Sequence, residues 1–224
     1  GDDAGAWEPT APMFADALLP QWATLEPFAM MSPDQFRPAG PPDLTSQAWA
    51  DAFNDVKSLG RADSSTRTAE QTRIARFWAD GAGSYTPPGH WNQIAGQVAE
   101  AAGNTLAQDA RLFAELNITL ADAAIVAWNA KYNYNTWRPI TAIRAAEASS
   151  NDQVQADPAW SPLLITPPFP EYVSGHSTFS GGAATVLDSF FGSSVRFSTT
   201  SLTLPGVTRA FASFDDAAAE AGRS

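Results

Sequence analysis

Two short stretches of this chain hold residue types able to do chemistry: KYNYNTWRP at 131–139 and YVSGHST at 172–178. In the first, Lys131 stands seven residues before Arg138, and the chain has only one other lysine, Lys57. Seven residues are two helical turns, so on a continuous helix both cations would share a face and could grip one anion. Arginine would supply a planar fork of donors and lysine a compact charge. A solvated surface pair is the competing reading of that segment taken alone. In the second stretch, Ser174 and Gly175 precede His176, one of two histidines. A Ser-Gly pair at the mouth of a helix turns a hydroxyl and backbone N–H groups toward the space before it, where the helix end favours negative charge. Gly175 lets the backbone approach closely, and His176 can exchange a proton near neutral pH. The competing reading here is a capping serine followed by a structural histidine.

The background charge makes a local cation cluster informative. The 224 residues are 44% hydrophobic and 17% charged, with a formal net charge of -11, which fits a folded protein and excludes a disordered polyelectrolyte. An acidic field opposes long-range attraction of nucleic acid and anionic membranes, so neither is expected as a partner. The longest apolar runs, such as 123–128, fall far short of the roughly 20 residues that cross a bilayer. With no cysteine there is neither a disulfide nor a thiolate metal site. No arginine-rich head with an apolar stretch opens the chain, and GDDAGAWEP could be a mature terminus.

The elements that would position these residues are helical. The expected fold is an all-α, multi-helix bundle of six to eight helices in a single domain over 1–224. Residues 1–43 would form an irregular wrapping segment and 44–224 the bundle. In the wrapping segment Trp7, Trp22, Phe28 and Phe36 are expected to pack against the body. TSQAWADAFNDVKSLG is capped by Thr45 or Ser46 and stops at Gly60, with Trp49, Phe53 and Val56 at helical spacing. A second helix carries Ile74, Phe77 and Trp78 on one side and ends before Gly81. A long helix follows, with Ile94, Val98, Leu106, Leu112 and Leu116 as its apolar stripe. Thr119 is expected to cap the next, with Asp122 in a capping-box position. Two more helices open near Ser177 and within VTRAFASFDDAAAEAG. The intervening VRFSTTSLTLPG would hold a strand or nothing regular.

KYNYNTWRP and SGHSTFSG together resemble the first and second motifs of the superfamily that joins vanadium-dependent haloperoxidases to type 2 phosphatidic acid phosphatases and bacterial acid phosphatases. TPPGHWN and PPFPEY are similar to bacterial members of the haloperoxidase branch. The resemblance implies a helical bundle binding vanadate, with phosphate able to take the same site. Lys131 and Arg138 would bind equatorial oxygens, Ser174 and the Gly175 amide would add hydrogen bonds, and His176 would be the acid–base group. Trp128 and Phe169 match aromatic positions on the halide side of the pocket, although aromatics at such positions also serve as plain core. Val173 replaces the proline that usually precedes Ser-Gly-His. The family's third motif begins with Ser-Arg and ends in the vanadium-ligating histidine. Ser224 matches its serine, so that histidine is expected beyond Ser224, and His90 is read as structural.

The implied activity is oxidation of halide by hydrogen peroxide to a hypohalous-acid-like species that halogenates a small organic acceptor. The alternatives are a soluble acid phosphatase acting through a phosphohistidine, and a non-catalytic helical anion-binding module. A C-terminal companion fragment would supply the missing ligand, homodimers are common in the family, and the hazardous product suggests a secreted or periplasmic setting.

Overall fold

The computed structural model describes residues 4–224, so the first three residues of GDDAGAWEP lie outside the described residues. Seven α-helices are found among the described residues: α1 Gln47–Leu59, α2 Ala69–Phe77, α3 Thr86–Ala102, α4 Leu106–Tyr134, α5 Pro139–Arg144, α6 Gly175–Phe191 and α7 Phe214–Ala221. One antiparallel hairpin, β1 Phe197–Thr200 with β2 Thr208–Phe211, pairs Phe197 with Phe211 and Thr200 with Thr208. The fold is therefore a helical bundle carrying a small sheet, and the all-α expectation holds in its helical part. The hairpin takes VTRAF out of the helix expected there. Its β-branched and aromatic residues suit a strand, and Ser213 caps the helix that follows by accepting from the Asp216 amide.

By internal contacts the chain resolves into two compact units. The first comprises residues 4–25, 36–68 and 128–173 of the described chain. Ser46 caps α1 by accepting from the Trp49 amide, and Gly60 follows its last turn. Ala50 and Phe53 of α1 pack with Trp137, Ile140, Ile143, Val154 and Trp160. Trp160 and Arg144 tie the loop to this core: the indole donates to the Lys57 carbonyl and Arg144 Nε donates to the Trp160 carbonyl, at 2.9 and 2.8 Å. Residues 5–7 run beside 135–137, with Trp7 N donating to Asn135 O and Trp137 N to Gly5 O, both at 2.7 Å.

The second unit comprises 26–35, 69–127 and 174–224. α3 and α7 pack on α6, around Trp78, Trp91, Ile94, Leu112, Leu116, Leu187 and Phe214. Trp91 Nε1 donates to Ser180 Oγ at 2.9 Å, fixing the rotation of α6 from a wholly buried position. The expected long helix is broken at Gly103, whose φ of 69° ends α3 in the left-handed conformation that glycine adopts without strain. Thr105 then opens α4 through a capping box with Gln108: Thr105 N donates to Gln108 Oε1 at 2.8 Å and Gln108 N to Thr105 Oγ1 at 3.4 Å.

α4 then runs 29 residues, straight through Thr119, so the start expected there does not exist. Asp122 caps nothing either. Buried on α4, its carboxylate accepts from the backbone amides of Phe28, Ala29 and Met30 at 2.7, 2.8 and 3.1 Å. That polar anchor replaces apolar packing of the segment, for Phe28 is 75% exposed. Phe36 in the first unit is exposed as well, whereas Trp7 and Trp22 are half-buried. Leu106 also leaves the expected stripe: it sits in the first turn of α4 and is exposed.

Candidate oxyanion site

α4 stops at Tyr134, with Asn135 in the left-handed region at φ 49°, and Arg138 is the N-cap of α5. Lys131 and Arg138 therefore do not share a continuous helix, as their seven-residue spacing suggests. What gathers them is the segment 169–171. Lys131 Nζ lies 4.7 Å and Arg138 Cζ 5.5 Å from the centroid of the Phe169 ring, so both cations border the same aromatic ring. Trp128, one turn before Lys131, places its ring 5.3 Å from that of Phe169 and donates from Nε1 to the Leu18 carbonyl at 3.1 Å. Trp128, Lys131, Arg138 and Phe169 form one cluster within the first unit.

The surface-pair reading fails for these cations. Lys131 is 1% exposed and the Arg138 side chain 14%. Lys131 Nζ donates to the Pro170 and Glu171 carbonyls, each at 2.9 Å. Burial pulls its pKa down to about 7; the Glu171 carboxylate works against that shift and the neighbouring Arg138 charge adds to it. Burial also lowers the Arg138 pKa, opposed by Glu171. Arg138 Nη1 lies 2.8 Å from Glu171 Oε2, while Arg138 Nε is buried without a hydrogen-bond partner. Glu171 carries no local signal in the sequence, since its partners stand 33 and 40 positions away from it.

In the second unit, Ser174 is the N-cap of α6, its Oγ accepting from the Ser177 amide at 3.2 Å. The Ser174 carbonyl accepts from Thr178, both from its amide at 3.1 Å and from its Oγ1 at 2.8 Å. The first-turn amide of Gly175 is not used by the helix itself. His176 is half-buried in that first turn. The last turn of α7 lies close by: a Cβ added at Gly222 would meet Ser177 Oγ at 3.3 Å. The Tyr172–Val173 peptide before the cap is cis.

His90 is enclosed at 0% exposure in the second turn of α3. Its Nδ1 is 2.9 Å from Asp80 Oδ2, its Nε2 3.3 Å from Thr199 Oγ1, and its ring stacks on Trp78 at 4.8 Å. These contacts pin together α3, β1 and the segment following α2. No group of three His, Cys, Asp or Glu side chains able to hold a metal ion exists among the described residues. No described helix is long and apolar enough to cross a membrane.

A bundle with a buried cation pair and a Ser-Gly-His helix start defines a class that comparison with known proteins resolves. Residues 111–224 match the family model described as the VCPO second helical-bundle domain. The chain belongs to the vanadium-dependent haloperoxidase family. It is similar to the vanadium chloroperoxidase of Curvularia inaequalis, at 32% identity over 64% of this chain and 28% of that protein. The crystal structure of the first bacterial vanadium-dependent iodoperoxidase matches with a TM-score of 0.82 at 34% identity, over 99% of this chain and 54% of that one. An apo-type bacterial vanadium-dependent chloroperoxidase shares the fold, with a TM-score of 0.64 at 15% identity over 98% of this chain and 54% of that one. The chain thus spans about half the length of these two solved structures and less of the curated relative.

Proposed function

We propose that this chain carries the oxyanion-binding segments of a vanadate-dependent haloperoxidase that oxidises halide with hydrogen peroxide and delivers the product to a small organic acceptor. The observation that carries the reading is the burial of Lys131 and Arg138 in a chain of net charge -11. The donors suit an oxyanion. Arg138 Nε is buried and has no hydrogen-bond partner, and a protonated Lys131 has three N–H groups, of which two are used by carbonyls. Bound vanadate would supply the Lewis acidity that activates peroxide toward halide.

The chain's own residues do the rest. Lys131 and Arg138 hold and neutralise the anion, and binding favours the protonated form of Lys131, so it takes up a proton above pH 7. Ser174 and the amide of Gly175 add hydrogen bonds at the start of α6. His176 holds and moves the proton of the reaction at its ring nitrogen. Trp128 and Phe169 present a water-poor aromatic wall to the halide.

The test is titration of the protein with vanadate, followed by ⁵¹V NMR, and assay of bromide and iodide oxidation against phosphate-ester hydrolysis. Lys131→Ala is expected to weaken vanadate binding at least tenfold at pH 6. Equal binding by the folded variant sinks the proposal, and ester hydrolysis without halide oxidation replaces it with the phosphatase reading.

A further inference from the structure

The oxyanion reading leaves one group unexplained, an acid placed against the cation meant to receive an anion. Glu171 Oε2 sits 2.8 Å from Arg138 Nη1, yet Oε2 has no aligned hydrogen bond, and Arg138 Nε is not engaged at all. The contact is an ion pair made through one corner of the guanidinium, whereas the strong arrangement for an arginine and an oxyanion uses two parallel N–H groups. A residue whose purpose was to anchor Arg138 would be expected to fill that fork.

The two ends of Glu171 differ in freedom. Its main chain is fixed: the amide donates to Thr136 O at 3.0 Å, and its carbonyl accepts from Lys131 Nζ at 2.9 Å. Its side chain is 42% exposed as a whole, while Oε2 is buried against Arg138, so the carboxylate reaches water only by swinging off the guanidinium, a route that the enclosed Lys131 lacks. Resting on the oxyanion-site reading, we propose that the Glu171 carboxylate is a built-in competitor, seated on Arg138 until an incoming oxyanion displaces it toward solvent, and so sets the affinity of the site. The energetic logic is exchange. Without any anion, a desolvated guanidinium would stand uncompensated in an apolar setting beside Phe169, at considerable cost. The carboxylate offsets that cost in the empty protein, and an oxyanion must do better than Glu171 to bind.

The experiment compares the whole chain with its Glu171→Gln variant, by calorimetric titration with vanadate and with inorganic phosphate. It is run at pH 6, below the value near 7 at which Lys131 titrates, so that the lysine is charged. Glutamine keeps the side-chain shape, and the carbonyl acceptors of Lys131 are untouched. Circular dichroism and the thermal midpoint confirm folding, and Glu171→Ala gives a second, smaller replacement. Expected is at least tenfold tighter binding of both anions by Glu171→Gln, lost again when Arg138→Ala is added. Equal or weaker binding by both folded variants overturns the competitor role while the wild-type binding leaves the oxyanion site standing. If neither wild type nor variant binds either anion, the site reading and the competitor role fall together.

Discussion

Lys131 makes the sharpest demand on the physics of the site, because it is a 1%-exposed amine whose pKa is brought from 10.5 to about 7. The gap of about 3.5 units sets a ceiling of roughly 5 kcal/mol on what protonation of this one group costs the folded state. The sign follows from proton counting. Between pH 7 and 10.5 the unfolded chain holds a proton on Lys131 that the folded chain lacks, so stability from this residue rises with pH across that window. Below pH 7 both states are protonated and the full penalty stands. The perturbation is Lys131→Met, which keeps the length of the side chain and removes its titration. Loss of the hydrogen bonds to Pro170 and Glu171 costs the variant an amount nearly independent of pH, since a neutral amine still has two N–H groups for those two carbonyls. The unfolding free energy of wild type minus that of the variant should therefore climb by ~1.4 kcal/mol per pH unit, about 3 kcal/mol from pH 7 to 9.5. Urea denaturation at closely spaced pH values and constant ionic strength, without phosphate or vanadate, measures it. A flat difference across that range would refute the assignment of a buried, depressed lysine.

Removing the Asp122 carboxylate with Asp122→Ala strands the amides of Phe28, Ala29 and Met30; the expected loss is about 3 kcal/mol, with hydrogen exchange accelerating at those three amides. Unchanged exchange there would show that the anchor is ornamental. His90→Ala leaves Asp80 buried at 3% exposure and empties the space beside Trp78, for an expected loss of about 3–5 kcal/mol in guanidinium denaturation. A loss below about 1 kcal/mol would contradict a structural role for this histidine.

Capping chemistry was the most legible layer of the sequence. Ser46 and Gly60 bound α1, and Ser174 opens α6, because each acts on neighbours within three or four residues. The break at Gly103 was legible in principle: Thr105 and Gln108 spell a capping box, and no glycine or proline interrupts 106–134, which argues against a new start at Thr119. Alanine-rich periodicity on both sides obscured it. The site divides the same way. Lys131, Arg138 and His176 stand out by rarity and spacing, and the enclosed His90 fits its structural reading. Glu171 could not be read, since what singles it out is a turn that returns it to Thr136 and Arg138. Long-range returns of the chain leave no local pattern. The hairpin was half-legible for a related reason: β-branched residues mark a strand, but its partner is set by tertiary pairing.

The acceptors of Lys131 are main-chain oxygens, those of Pro170 and Glu171. Substitution can exchange a side chain but cannot delete a carbonyl, so the lysine keeps its moorings whatever side chain follows Pro170. The side chain at position 171 is thereby released from hydrogen-bonding the lysine and can be varied for another purpose, an acid to compete with the anion or a neutral residue to stand aside. The scaffold thus separates a part that must persist from a dial that can be turned, and directed evolution of anion affinity in this fold should begin at that dial.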